Sequence, residues 1–246
     1  RASGLLKKGS PGIIFTIFIL ISIFIRLPFF FRDYIDRDES TFILMGQAWV
    51  DGFLPYTELW DVKPPLNFLF YAGIIYLFGK SFIALRLAGS VVVALTAYLT
   101  YLFCRKETEP SLALIFGVLC IYLQSLFGSI QGVMSEHLLM CSYMAACYYL
   151  MRNKTLTDLF LAGLLLGVSL MIKISIAFPI LCTGLFLVYY YFREMRPSRA
   201  ILQLLLIGIP ALLVVLATFL PYYQMGEPHI WWDSVIRAPL AYTEAG

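Results

Sequence analysis

Charge is what this chain has least of. Lys, Arg, Asp and Glu make up 13% of its 246 residues, about half the share of a typical soluble domain. With 61% hydrophobic residues and a mean hydropathy of +0.83, it lacks the polar surface of a water-soluble globule. The apolar–polar alternation of barrel strands is missing, which leaves helices as the way to satisfy backbone groups in lipid. The net charge of +3 comes without any long basic run, so nothing points to nucleic acid. Cysteine is scarce: Cys104, Cys120, Cys141, Cys147 and Cys182 lie in or beside apolar runs. Their spacing fits neither a metal site nor a disulfide framework, and they read as small buried hydrophobes. There is no internal repeat and no low-complexity segment. Lys7 and Lys8 stand before an apolar run, as in a signal peptide. That run is too long and no small-residue cleavage site follows, so it reads as a retained first span.

What the chain has in abundance is apolar runs near the roughly 20 residues needed to cross a bilayer. They fall at 12–31, 82–103, 110–128, 136–151, 156–172, 174–192 and 200–221. A further segment, 64–79, is short for a crossing. If it does not cross, Arg1, Lys7, Lys8, Arg105, Lys106, Arg152, Lys154, Arg193, Arg196 and Arg199 share one side, ten of the 18 basic residues. Asp33, Asp36, Asp38, Glu39, Asp51, Glu58, Asp61, Glu136, Glu227, Asp233 and Glu244 share the other, eleven of the 15 acids. This is the positive-inside pattern. The expected architecture is all-α: a single polytopic bundle over 1–246 with about seven spans, the N-terminus cytoplasmic and the C-terminus outside. Segment 32–80 is then an extracytoplasmic first loop with juxtamembrane helices. The cell compartment expected is a bacterial inner (plasma) membrane.

That first loop holds four carboxylates within seven residues: Asp33, Asp36, Asp38 and Glu39. The stretch ESTFILMGQAWV predicts a short amphipathic helix, with Asp38 or Ser40 as N-cap and Gly52 as stop. Phe42, Met45 and Trp49 would share its apolar face, suiting a helix lying in the interface. PYTELWDVKPPL follows, stiffened by Pro55, Pro64 and Pro65 and carrying Asp61 and Lys63. Arg86 near the start of the second span and Glu136–His137 at the start of the fourth are expected at the same depth. Lys173 and His229 read as residues of the same interface. Ionisable groups this close to hydrocarbon are costly and commonly functional. A lysine there suits a lipid-linked phosphate. A carboxylate beside it suits either a general base towards a hydroxyl or a divalent metal ligand. The plain readings are a helix cap for Asp38 and a snorkelling stem for Lys63.

The order of these pieces carries a resemblance: Asp38–Glu39 at the end of span one, Gly52-Phe-Leu-Pro-Tyr56, Trp60-Asp-Val-Lys-Pro-Pro-Leu66, Phe78-Gly79, then Arg86. Ser135-Glu136-His137, Met171-Ile172-Lys173 and His229-Ile-Trp-Trp232 follow. The chain resembles the GT-C type membrane glycosyltransferases, in the branch of protein O-mannosyltransferases and the lipid A aminoarabinose transferase. The resemblance implies an inverting glycosyltransferase that moves a sugar from a polyprenyl-phosphate donor to a lipid, glycan or protein acceptor at the extracytoplasmic face. By position, Asp38 (with Glu39) implies the catalytic acid pair, and Lys63 the donor-phosphate contact, with Arg86 beside it. Glu136 matches an acidic position that helps bind a divalent metal in some members, so His137 and Asp38 become candidate co-ligands. Asp61 and Lys173 complete the candidate site. No cofactor other than such a metal ion is implied. Related enzymes are longer, and the missing initiating Met leads to the expectation of an N-terminal part of a larger module. The competing reading is a transporter or flippase for a lipid-linked sugar. Transporters tend to show half-repeats and mid-membrane charges, whereas these charges gather at one face.

Overall fold

The structure, a computed structural model, describes residues 11–126, 131–152 and 155–244, the last three by backbone alone. Arg1, Lys7, Lys8, Lys154, positions 127–128 and the Glu244 side chain lie outside the described residues. The described residues are mostly helical, with no strand among them.

The first helix, α1 (Pro11–Arg26), tightens into a 3₁₀ turn at Leu27–Phe29, where Pro28 cannot donate to the ladder. Then come α2 (Arg37–Val50) and α3 (Pro65–Phe78), the latter entered through Pro64 as cap and Pro65 in its first turn. Proline is pre-set for that position. The long α4 (Phe82–Cys104) is capped by Ser81, whose hydroxyl accepts from the Ala84 N–H. After it run α5 (Pro110–Leu123), α6 (Ser135–Arg152) and α7 (Leu156–Leu170), which opens on a Thr155/Asp158 capping box. The last large elements are α8 (Ala177–Glu194), led by a 3₁₀ turn at Ile174–Ile176, and α9 (Pro197–Gln224). Two short helices, α10 (Pro228–Trp232) and α11 (Ala238–Glu244), end the chain, joined by a π-helical turn.

Each expected span coincides with a helix. By length and composition, four stretches suffice to cross a membrane among the described residues: Pro11–Phe29, Phe82–Cys104, Ile174–Glu194 and Pro197–Gln224. The apolar helices α3, α5 and α7 are shorter. At 1.5 Å per residue, a 14-residue helix such as α5 spans ~21 Å against a hydrocarbon core of about 30 Å. This is an all-α protein of membrane type.

The helices pack side by side. α1 lies against α4 and α5, α4 against α6, α6 against α7, and α7 against α9. The α7–α9 crossing is close: a Cβ on Gly163 would overlap the Ile207 carbonyl, and one on Gly167 would sit 2.6 Å from that of Ala211. Small residues allow this approach where lipid gives helices no hydrophobic reason to associate.

Contacts fix which ends meet. Arg26, closing α1, donates to the carbonyls of Gln124 after α5 and of Gly132 before α6. Arg86, one turn into α4, reaches the carbonyls of residues 29, 30 and 32 after α1. The Leu66 N–H, opening α3, donates to the Met171 carbonyl after α7 at 3.0 Å. The Tyr222 hydroxyl, near the end of α9, donates to the Pro55 carbonyl at 3.1 Å. The chain therefore enters α3 and leaves it towards α4 at the same end of the bundle. At the opposite end, Lys106 after α4 lies 5.5 Å from the ring centroid of Tyr148 on α6, and Arg152 pairs with Asp158 at 3.4 Å.

The first loop differs from expectation in detail. The N-cap of α2 is Asp36, whose carboxylate accepts the Asp38 N–H at 2.8 Å. Asp38 is thereby freed from capping. Phe42 and Met45 do share a face, but that face is buried against α3 and the core. The reason is aromatic packing: Phe42 meets Phe68 and Tyr71 at centroid separations of 6.0 and 5.6 Å. Four of the cysteines are half-buried, and Cys182 is exposed on α8.

Candidate functional site

The residues between Pro55 and Pro65 form a strip of turns and bends held from several directions. Tyr56 takes a positive φ of 71° and turns its hydroxyl back to donate to the Lys63 carbonyl at 2.5 Å. Burial, aided by Tyr222 and Asp61, pushes the Tyr56 phenol well above its usual range, so it stays a donor. The Asp61 carboxylate accepts the Lys63 N–H at 2.8 Å, which is where the structure places that candidate: a local turn that orients Lys63. Trp60 donates to Ser234 at 3.1 Å.

Held in this way, the Lys63 ammonium lies 3.4 Å from Asp38 Oδ2 and 5.4 Å from the Phe42 ring centroid. The ring face adds a weak attraction for the cation. The lysine side chain is 15% exposed and the aspartate 44%: the carboxylate looks outward and the cation is tucked beneath it. Asp38 of the acid cluster and Lys63 of the KPP strip thus meet.

Glu39 goes elsewhere. It is buried and forms a forked pair with Arg86, Oε2 accepting at 2.9 Å and Oε1 at 3.3 Å. Oε1 also accepts the Val133 N–H at 2.9 Å. Arg86 spends its remaining donors on the backbone carbonyls after α1. Both residues are nearly inaccessible, so Arg86 is placed as a strut between α1, α2 and α4. Gly132 fits against this strut, since a Cβ there would lie 2.8 Å from the Glu39 carboxyl carbon.

A second lysine–carboxylate pair joins Lys173 to Glu136, with the Ser135 hydroxyl donating to the other Glu136 oxygen at 3.0 Å. Lys173 follows Met171, whose carbonyl receives the Leu66 N–H, so the two lysine strips are stitched together by backbone. Tyr71 packs on Phe42 at 5.6 Å, the ring over which the Lys63 ammonium lies, and donates to the Val133 carbonyl three residues before Glu136, which brings the two pairs to one mouth. His137 does not open onto it. The ring is 1% exposed, its Nδ1 accepts the Met134 N–H at 3.0 Å, and its Nε2 lies 2.9 Å from the Gln124 carbonyl. With both ring nitrogens engaged, His137 is not placed as a metal ligand, and no cluster of three or more His, Cys, Asp or Glu is set to hold a metal ion among the described residues. His229 is exposed beside Glu227 at 3.2 Å.

An apolar groove of about 250 Å³ opens between α3 and α9, lined by Trp49, Pro65, Leu66, Leu69, Val214 and Tyr222 among others. It begins two residues from Lys63. The mouth can hold an anion at its lysines, take a proton at Asp38 and admit a hydrocarbon chain sideways.

Sequence reasoning missed Arg26 and Tyr71. Arg26 carried a signal, a lone cation inside an apolar run. Tyr71, buried with its hydroxyl donating to the Val133 carbonyl at 2.6 Å, carried none, being one aromatic among many.

A family model described as dolichyl-phosphate-mannose-protein mannosyltransferase matches residues 62–223. The match takes in Lys63, Arg86, Glu136 and Lys173 and leaves Asp38 and Glu39 outside it. No curated protein matches the chain.

Proposed function

The chain belongs to the dolichyl-phosphate-mannose-protein mannosyltransferase family, and from that premise we propose how this membrane glycosyltransferase uses its mouth. The donor is a sugar on a polyprenyl phosphate, and the acceptor is a hydroxyl of a lipid, glycan or protein. The reaction takes place at the extracytoplasmic face of a membrane, in the bacterial case the inner membrane. The observation that carries this reading is the Lys63–Asp38 pair, with Lys63 two residues before Pro65, which lines the apolar groove.

At rest Lys63 is neutralised by Asp38. A donor phosphate takes over Lys63, and its polyprenyl chain lies along α3 and α9. Lys173 brings a second positive charge to the same mouth. Asp38, released from the lysine, accepts the proton of the acceptor hydroxyl. The hydroxyl oxygen bonds to the anomeric carbon as the bond from that carbon to the phosphate oxygen breaks, with inversion. The electron pair leaves on the lipid phosphate, whose added negative charge Lys63 stabilises in a site poor in water. Holding donor and acceptor together removes much of the entropic barrier. Glu39 and Arg86 act by fixing the helix on which Asp38 stands.

The test is transfer from dolichyl-phosphate mannose by the protein in nanodiscs. Asp38→Asn should lower kcat by about 10²–10⁴, the usual span for a lost general base. Lys63→Ala should lower it by about 10²–10³. Neither change should alter the melting temperature much, because a part-exposed ion pair is worth at most about 1 kcal/mol. Wild-type rates in both variants would overturn the assignment.

A further inference from the structure

Asn67 is completely buried, and neither its Nδ2 nor its Oδ1 meets a hydrogen-bond partner in the protein. The half-buried residues Gln47 and Gln124 each lack a partner at one covered oxygen only. Leaving both halves of a carboxamide unpaired is costly, and native proteins rarely do so without a reason. The position supplies one. Asn67 stands in the first turn of α3, four residues after Lys63 and four before Tyr71, on the face that Tyr71 shares. Tyr71 packs on Phe42, the ring over which the Lys63 ammonium lies, and donates to the Val133 carbonyl three residues before Glu136. The orphaned amide therefore stands one helical turn from the side chain that links the two ion pairs.

We propose that Asn67 recognises the transferred sugar, an inference that rests on the donor assignment above. A phosphate or carboxylate oxygen only accepts and would leave Oδ1 unpaired, and an ammonium only donates and would leave Nδ2 unpaired. A hydroxyl does both. Two neighbouring hydroxyls on a sugar ring satisfy Nδ2 and Oδ1 together. The lysines of the mouth serve the phosphate and do not distinguish one sugar from another, whereas a neutral amide with two free halves does. The amide is covered at rest, so the sugar reaches it only as the arriving donor moves the side chains above it.

The experiment uses the whole chain in nanodiscs, with Asn67→Leu, close in volume, and Asn67→Ser, which keeps a polar group. The probes are dolichyl-phosphate mannose and dolichyl phosphate without sugar. The Leu variant should melt higher than wild type, because an orphaned polar group is gone. It should bind sugar-free dolichyl phosphate as wild type does. It should bind and turn over the sugar-bearing lipid at least about tenfold less well, since a site built to hydrogen-bond a hydroxyl loses heavily without it. Ser should fall between the two. A Leu variant that binds and transfers like wild type would show that the amide holds a water or nothing. Equal loss of both lipids would assign it to the phosphate or the fold. Either result overturns the inference alone. A wild-type protein that binds neither lipid would overturn the donor assignment and this inference with it.

Discussion

Two adjacent acids, Asp38 and Glu39, end up in opposite situations, and the difference sets what each substitution should do. Asp38 is part-exposed on a single lysine, while Glu39 is buried and shared between Arg86 and the Val133 N–H. Removing one partner of a buried, hydrogen-bonded pair strands the other charge, at a cost of about 3–5 kcal/mol. Glu39→Ala or Arg86→Met should thus lower the melting temperature sharply, where Asp38→Asn should not, as thermal denaturation in detergent would read out. Gly132→Ala should act on the same strut by pressing its methyl group against the Glu39 carboxyl. Loss of transfer activity together with a lower melting temperature is the expected result. The sequence carried the types of these residues but not their division of labour. Asp, Glu, Lys and Arg at one depth are visible in a string of letters. Which acid faces out depends on Asp36 taking the cap, a choice decided by backbone geometry.

At the scale of elements, apolar periodicity and the helix-starting prolines made the helices legible. Pro11, Pro65, Pro110 and Pro197 each stand at or next to the start of a helix. What the letters did not carry was the packing partner of α2. Its Phe42–Met45 face suits a lipid interface and a protein core equally, and only the aromatic surface of α3 decides between them. The α7–α9 crossing offers a direct test, since backbone touches backbone there. Gly163→Val should push the two helices apart and destabilise the protein by about 1–3 kcal/mol, the usual range for overpacking, with a matching drop in melting temperature.

For the whole molecule, charge asymmetry predicts the orientation, and the contacts give it a geometric companion. The ends of α1, α5, α7 and α9 share one end of the bundle with the starts of α4 and α6, and α3 begins and returns there. We propose seven crossings, with α3 held to one side. Helix length alone identifies fewer, because α3, α5, α6 and α7 are each too short or too polar to announce themselves. Single cysteines at Glu58 and Glu107, both exposed, test it in a variant whose five native cysteines are replaced. An impermeant maleimide added outside intact cells should label position 58 and spare position 107. Labelling of both from the same side would overturn the orientation.

The strip bearing Lys63 leans on residues synthesised much later: Leu66 on Met171, Pro55 on Tyr222, Trp60 on Ser234. The ribosome delivers the strip early and its supports late, so the segment that holds the key cation waits, half-built, while more than a hundred further residues are threaded into the bilayer. The mouth is completed only once α7, α9 and the turn after α10 have followed, and a nascent chain arrested before residue 200 should leave residues 55–63 open to protease that a chain extending past Ser234 resists.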